Sequence, residues 1–232
     1  MLVSFLIPTR KQVVMLRDSI GSILRLCSPS HRFEICLAID SDDTETLEII
    51  PEIIRFMPPN SVKVIITPRK GYARLHEYYN ALAEIATGAM LFLWNDDAKM
   101  ETKHWDIALA GDYSRRDDCM MLIPQEIHWD NKCLLSGGFP IVTREYYEIV
   151  GAFSHSPLND RYLHDTIGRF AAMTGFRFMM SSVVISHDNN HATHSEVAQT
   201  LLALHDDPEG EIQKHLLADR EALNTFDRTK GV

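Results

Sequence analysis

Residues 90–97 read Met90-Leu91-Phe92-Leu93-Trp94-Asn95-Asp96-Asp97. Five apolar side chains follow one another without alternation, then give way to an amide and two neighbouring carboxylates. An unbroken apolar run suits a strand buried on both faces, as in a parallel sheet covered by helices. Three earlier runs, at 3–7, 33–39 and 62–66, have the same character, the first ended by Pro8. Between them Val13, Leu16, Ile20, Ile23, Leu24 and Cys27 recur at helical spacing, with Ser28-Pro29-Ser30 as the stop. Asp43-Thr44 can cap a second helix carrying Leu47, Ile50 and Ile54, which Pro51 is expected to kink or shorten. A third helix is expected over 75–86, with Gly88 as the residue just past its end. Strand and helix thus alternate four times in the first hundred residues. That alternation predicts right-handed crossovers, a mainly parallel Rossmann-like sheet flanked by helices, and ligands at the carboxyl ends of the strands.

Beyond residue 100 the pattern loosens. A helix is expected near 105–109, strands at 120–123 and 141–143, and an irregular segment through Gly137-Gly138. Helices at 145–150 and 161–173, strands at 176–180 and 183–185, and a polar loop over 187–194 follow. Residues 195–226 read as one or two acidic helices broken near Pro208-Glu209-Gly210. No internal repeat or linker divides the chain, so an α/β class with a single three-layer domain and a C-terminal helical tail is expected. The 232 residues are 45% hydrophobic and 24% charged, values of a globular rather than a disordered chain. A net charge of -9 argues against a partner with a phosphate backbone, so no nucleic acid is expected. Cys27, Cys36, Cys119 and Cys133 show no metal spacing and read as free thiols of a reducing compartment. The apolar start has no basic stretch before it, and no run approaches the roughly 20 residues of a membrane span. A cytoplasmic protein with no membrane span is the expectation.

Four constellations can carry chemistry. Asp96 and Asp97 repel one another at a strand end, and a hard divalent cation relieves that repulsion while binding phosphate oxygens. A helix cap with a spare acid would also explain them. Asp40-Ser41-Asp42-Asp43-Thr44 follows another buried strand, so its acids converge on the same crevice. A cap accounts for one of these acids and not for three. His187-Asp188-Asn189-Asn190-His191-Ala192-Thr193-His194 crowds three imidazoles after the last apolar run, and His187 could complete a metal site built on Asp97. A solvated loop is the plain alternative, and His191 and His194 are further candidates for the same site. Leu163-His164-Asp165-Thr166 opens a helix, where Asp165 can be a first-turn acid or a general base.

Taken in order, Val3-Ser4-Phe5-Leu6-Ile7-Pro8-Thr9, Asp40 to Thr44, then Asn80 and Gly88 ahead of Asn95-Asp96-Asp97 resemble the nucleotide-binding half of the family-two glycosyltransferases. Ser136-Gly137-Gly138-Phe139, Arg144 to Phe153, His164-Asp165 and Gly175-Phe176 resemble that family's acceptor-side half. The resemblance implies a GT-A fold over 1–194, with 1–100 as the nucleotide-binding half, 101–194 as the acceptor-side half, and 195–232 as a C-terminal helical extension. It implies that Pro8 and Thr9 line the base pocket, Asp40 binds the base and Asp96 the ribose. It implies that Asp97 and His187 serve a metal, Mn2+ or Mg2+, on the donor diphosphate. Asp165 matches the base of inverting members, with Asp160 as the fallback, and Gly137, Gly138 and Phe139 fall on the acceptor side. The partners so implied are a nucleotide-sugar donor, with UDP as the first guess, and a carbohydrate or other hydroxyl acceptor in polysaccharide biosynthesis. The C-terminal helices are the candidate surface for a homodimer. The chain departs from the family's pattern at Asn95, Ser41 and His164, where acids are common.

Two other readings are open. Asp40 and Asp42 fit the DxDxT pattern of haloacid-dehalogenase-like phosphatases, although there the motif follows the first strand. A binding module that keeps the nucleotide-sugar pocket without turnover is the other. No GxGxxG follows the first strand, which disfavours a dinucleotide enzyme.

Overall fold

The computed structural model describes residues 1–30, 32–115, 119–127, 133–135, 139–155, 178–187, 214–215, 217–219 and 221–225, with the side chains of 133–135 excepted. The first half alternates as its pattern predicts: β1 (Val3–Thr9), α1 (Val13–Leu26), β2 (Phe33–Asp40), α2 (Thr44–Phe56), β3 (Val62–Thr67), a 3-10 turn Tyr72–Arg74, α3 (Leu75–Ile85) and β4 (Met90–Leu93). The second half contributes β5 (Ala98–Met100), α4 (Trp105–Tyr113), β6 (Met121–Ile127), β7 (Cys133–Leu135), β8 (Ile141–Thr143), α5 (Arg144–Val150) and β9 (Phe178–His187). The strands form one sheet in the order β3-β2-β1-β4-β8-β6-β9-β5, with β7 paired to β6 beside β8. The first four are parallel, and β8 joins β4 to β6 by antiparallel pairing on both sides. β9 then runs parallel to β6 and antiparallel to β5.

Because the central strands are apolar on both faces, each face takes helices. Phe5, Ile7, Ile35 and Phe92 pack with Leu16 and Ile20 of α1, Ile50 of α2 and Trp105 of α4. Leu6, Cys36, Leu91 and Leu93 pack on the other face with Tyr78, Tyr79 and Leu82 of α3 and Tyr146 of α5. Leu223, in the expected C-terminal extension, is buried in this second cluster. The expected α/β layering is present. Among the described residues no helix is long and apolar enough to cross a membrane.

Four local expectations are corrected. Pro51 does not shorten α2, which continues to Phe56. Its missing N–H falls on an exposed part of the helix, where the unpaired carbonyl one turn back can meet water. Ile53, not Ile54, is the buried residue of that turn. Gly88 is not a helix stop, since α3 ends at Ile85 and its cap residue Ala86 is already extended. A Cβ on Gly88 would lie 2.4 Å from Ser4 Oγ and 2.8 Å from Ser4 N, so glycine is needed for close approach to β1. The two strands expected at 176–180 and 183–185 are one strand with a bulge. Ile123 faces Met180 while Gln125 faces Val184, so Pro124 alone is matched by three residues of β9. Pro124 offers no N–H to the ladder. Buried Asp112 of α4 instead takes up the bulge, accepting from Ser181 Oγ at 2.9 Å, Ser182 N at 2.6 Å and Ser182 Oγ at 2.8 Å.

Candidate functional site

β2, β1 and β4 lie side by side and parallel, so their carboxyl ends form one edge. That edge presents Asp40, Thr9 and the Asn95-Asp96-Asp97 turn. Asp40 is only 4% exposed. The hydroxyl of Tyr78 donates to its Oδ1, and Arg10 Nη1 donates to its Oδ2 at 2.9 Å. The same guanidinium grips Asp42 with both Nη atoms, at 2.5 and 2.9 Å. Asp43 caps α2 by accepting from Thr46 N at 3.2 Å, and it also accepts from Lys11 N at 2.8 Å. Lys11 has φ +59, a left-handed conformation that this bond helps to hold. The three acids therefore have three tasks: Asp40 faces inward at the strand end, Asp42 steadies Arg10, and Asp43 caps the helix.

Thr9 Oγ1 donates to Asp96 Oδ2 at 2.7 Å, which ties the end of β1 to the turn after β4. Pro8 stands one residue earlier, opposite Ala38 of β2. Burial raises the Asp96 carboxyl to about 6, against the pull of the Thr9 hydroxyl, and the neighbouring Asp97 charge pushes the same way. Asp97 Oδ1 lies 3.0 Å from His187 Nε2, and His187 Nδ1 lies 3.6 Å from Glu126 Oε1. Burial opposes a charge on this imidazole, but the contacts with Asp97 and Glu126 outweigh it and raise His187 to about 9. Asn95 Nδ2 stands 3.5 Å from the same Nε2, while its Oδ1 accepts from Tyr79 OH at 3.1 Å. The buried ring of Phe139 meets His187 edge to face, centroids 5.0 Å apart, and also packs on Trp94.

Among the described residues no three His, Cys, Asp or Glu side chains converge as a ready cage for a metal ion. The pair Asp97 and His187 nevertheless fits a cation that displaces the proton His187 Nε2 shares with Asp97. Their facing atoms are 3.0 Å apart, the spacing of two adjacent ligands at about 2.1 Å in octahedral geometry. A hard divalent ion held by two protein ligands takes its other ligands from phosphate oxygens and water. Of the expected site residues, the structure brings Thr9, Asp40, Asp96, Asp97 and His187 to one edge. Gly137, Gly138, Asp160, His164, Asp165, His191 and His194 lie outside the described residues.

Sequence reasoning missed Arg10, Tyr78 and Glu126. Glu126 carried a signal, an acid in a strand whose other residues are apolar or amide, but Pro124 ends the local pattern before it. Asn80, quoted above only for its resemblance, fixes the turn after α5: its Oδ1 accepts from Phe153 N at 2.9 Å and Ser154 N at 3.0 Å.

The fold is that of solved glycosyltransferases. The mannosyltransferase PcManGT from Pyrobaculum calidifontis, in complex with GDP-Man and Mn2+, matches with a TM-score of 0.64 at 15% identity, over 95% of this chain and 69% of that one. TarS 1-349 from S. aureus, in complex with UDP, matches with a TM-score of 0.63 at 15% identity, over 100% of this chain and 74% of that one. No protein-family model matches the chain, and no curated protein matches it in sequence. At such identities the likeness establishes the fold alone.

Proposed function

We propose that the chain transfers a sugar from a nucleotide-diphosphate sugar to an acceptor hydroxyl, with inversion and with the help of Mn2+ or Mg2+. One observation carries the proposal: Thr9, Asp40, Asp96 and Asp97 meet at adjacent parallel strand ends, and His187 Nε2 stands 3.0 Å from Asp97 Oδ1. A nucleotide needs a polar edge for its base, an acceptor for its ribose hydroxyls and a cation for its diphosphate. Asp40, with Tyr78 and Arg10 fixing its orientation, is proposed for the base beside Pro8 and Thr9. Asp96, held by Thr9, is proposed for the ribose, and Asp97 with His187 for the metal. A bound cation neutralises the diphosphate and assists its departure. Asp165 is proposed to accept the acceptor's hydroxyl proton as its oxygen attacks the anomeric carbon. Gly137, Gly138 and Phe139 remain proposed for the acceptor side.

The phosphatase reading is disfavoured. Both oxygens of buried Asp40 are engaged, by Tyr78 and Arg10, and Asp42 is held in a two-point pair, so neither carboxylate is poised for attack. Buried free thiols at Cys27 and Cys36 agree with a cytoplasmic setting.

Thermal melting with UDP, GDP and other nucleoside diphosphates, each with Mn2+, Mg2+ or chelator, tests the proposal. A diphosphate at 100 times its dissociation constant stabilises by about 2.7 kcal/mol, or roughly 5–10 °C for a domain of this size. Equal shifts in chelator would remove the metal from the reading. No shift with any diphosphate would remove the nucleotide. Binding without release of sugar from any nucleotide sugar would leave the non-catalytic module.

A further inference from the structure

The sheet sets up a row of three side chains across its last strands. β9 lies between β6 and β5. Glu126 of β6 is the register partner of Ile185, and His187 stands two residues further along β9. Side chains two apart along a strand share a face, so Glu126 and His187 project to the same side. On the other flank Ala98 of β5 pairs with His187, which brings Asp97, the residue before it, against the same ring. The result is carboxylate, imidazole, carboxylate: Glu126 Oε1 lies 3.6 Å from Nδ1, and Asp97 Oδ1 lies 3.0 Å from Nε2. Phe139 closes against the imidazole with the two rings at 81°. Glu126 itself is 7% exposed, and a carboxylate is costly to bury unless it has partners.

We propose that Glu126 is the positioning residue of the metal site. By engaging Nδ1–H it leaves Nε2 as the nitrogen that faces Asp97 and the cation. The proposal rests on the glycosyltransferase reading, in that it needs a cation at Asp97 and His187. A histidine that binds a metal through one nitrogen commonly donates its other N–H to a carboxylate, and loss of that partner costs 10–100-fold in metal affinity. The 3.6 Å separation is longer than a hydrogen bond, and a small torsion of the Glu126 side chain closes it. The bulge in β9 is part of the device. Without its extra residues opposite Pro124 the register of β9 would slip by two, moving His187 about 7 Å along the strand and away from Glu126.

Mn2+ titrated into the full chain with saturating UDP, or whichever diphosphate the melting screen selects, tests this, with free Mn2+ read by electron paramagnetic resonance. Glu126→Leu, of similar bulk and without an acceptor, is expected to weaken Mn2+ binding 10–100-fold. Glu126→Gln keeps an oxygen for Nδ1–H and is expected to stay within about threefold of the parent. In a His187→Ala background Glu126→Leu should weaken Mn2+ no further, which a merely structural role would not produce. If Glu126→Leu has no melting transition, Glu126→Asp, which withdraws the carboxylate while keeping its charge, takes its place. Unchanged Mn2+ affinity in the Leu or Asp variant overturns the proposal, and so does a Gln variant as weak as Leu. A parent chain that binds the diphosphate but no Mn2+ overturns the metal reading beneath it, a result visible before any variant is made.

Discussion

Glu34→Gln is expected to destabilise the fold by about 2–3 kcal/mol at neutral pH while leaving nucleotide binding unchanged. Glu34 sits near the start of β2 and is 3% exposed. Its carboxylate is held by Ser4 Oγ at 2.6 Å, Thr87 N at 2.5 Å, Thr87 Oγ1 at 2.9 Å and Lys63 Nζ at 2.9 Å. These contacts tie β1, β3 and the approach to β4 onto β2 at the end of the sheet opposite the candidate site. Burial on its own would raise the carboxyl, but the hydrogen bonds from Ser4, Thr87 and Lys63 outweigh it and hold it below the ordinary range. A glutamine keeps the volume, removes the charge and turns an amide N–H2 toward groups that are themselves donors. A charge-assisted bond contributes roughly 1.5–3 kcal/mol, and the losses here are not additive because the four donors share one group. Lys63 is partly exposed and recovers some hydration, which keeps the cost below the 3–5 kcal/mol of a wholly buried broken pair. For a domain of this size the midpoint should fall by about 5–10 °C. The pH dependence has a fixed sign. A carboxyl lowered in the folded state stabilises fully above its unfolded value of roughly 4.3 and loses that contribution as pH falls through the folded value. Melting curves of the two proteins at pH 7 should therefore lie well apart and draw together as pH falls below about 4. Equal midpoints at pH 7, or a gap that stays constant into acid, would refute the reasoning.

Asp97→Ala should keep the fold and abolish the metal-dependent part of nucleotide binding, because it removes one of the two proposed ligands and relieves repulsion with Asp96. Loss of the melting transition in that variant would point to a structural role for the turn instead. Asp165→Asn keeps shape and capping ability, so donor binding should stay near that of the parent while transfer falls by roughly 100-fold or more. Normal transfer by Asp165→Asn with an inactive Asp160→Asn would move the base to Asp160, and a product that keeps the donor's anomeric configuration would end the inverting mechanism.

The parallel half of the fold was legible because burial on two faces writes itself into consecutive residues. The runs ending at Ile7, Ile39, Ile66 and Trp94 need no partner to be recognised, and the acids after the second and fourth follow from the same rule. Asp43 as a cap, and the acids of 40–43 and 95–97 as neighbours, came with it. What the local pattern did not reveal depends on residues far apart in sequence. Ser181 and Ser182 read as a break in a strand, yet they lie within β9 because Asp112, on a helix from another part of the chain, satisfies their polar groups. Gly88 read as a helix stop, yet its constraint is the backbone of Ser4 across the sheet. Arg10 showed no pattern at all until β1 and β2 were paired and its guanidinium fell between Asp40 and Asp42. Glu126 and His187 lie on β6 and β9 and Asp97 in the turn before β5, and the order of these strands in the sheet is not their order in the chain. Hydropathy reports how deeply one residue is buried, whereas register decides which two carboxylates flank an imidazole, and register exists only once the strands have met.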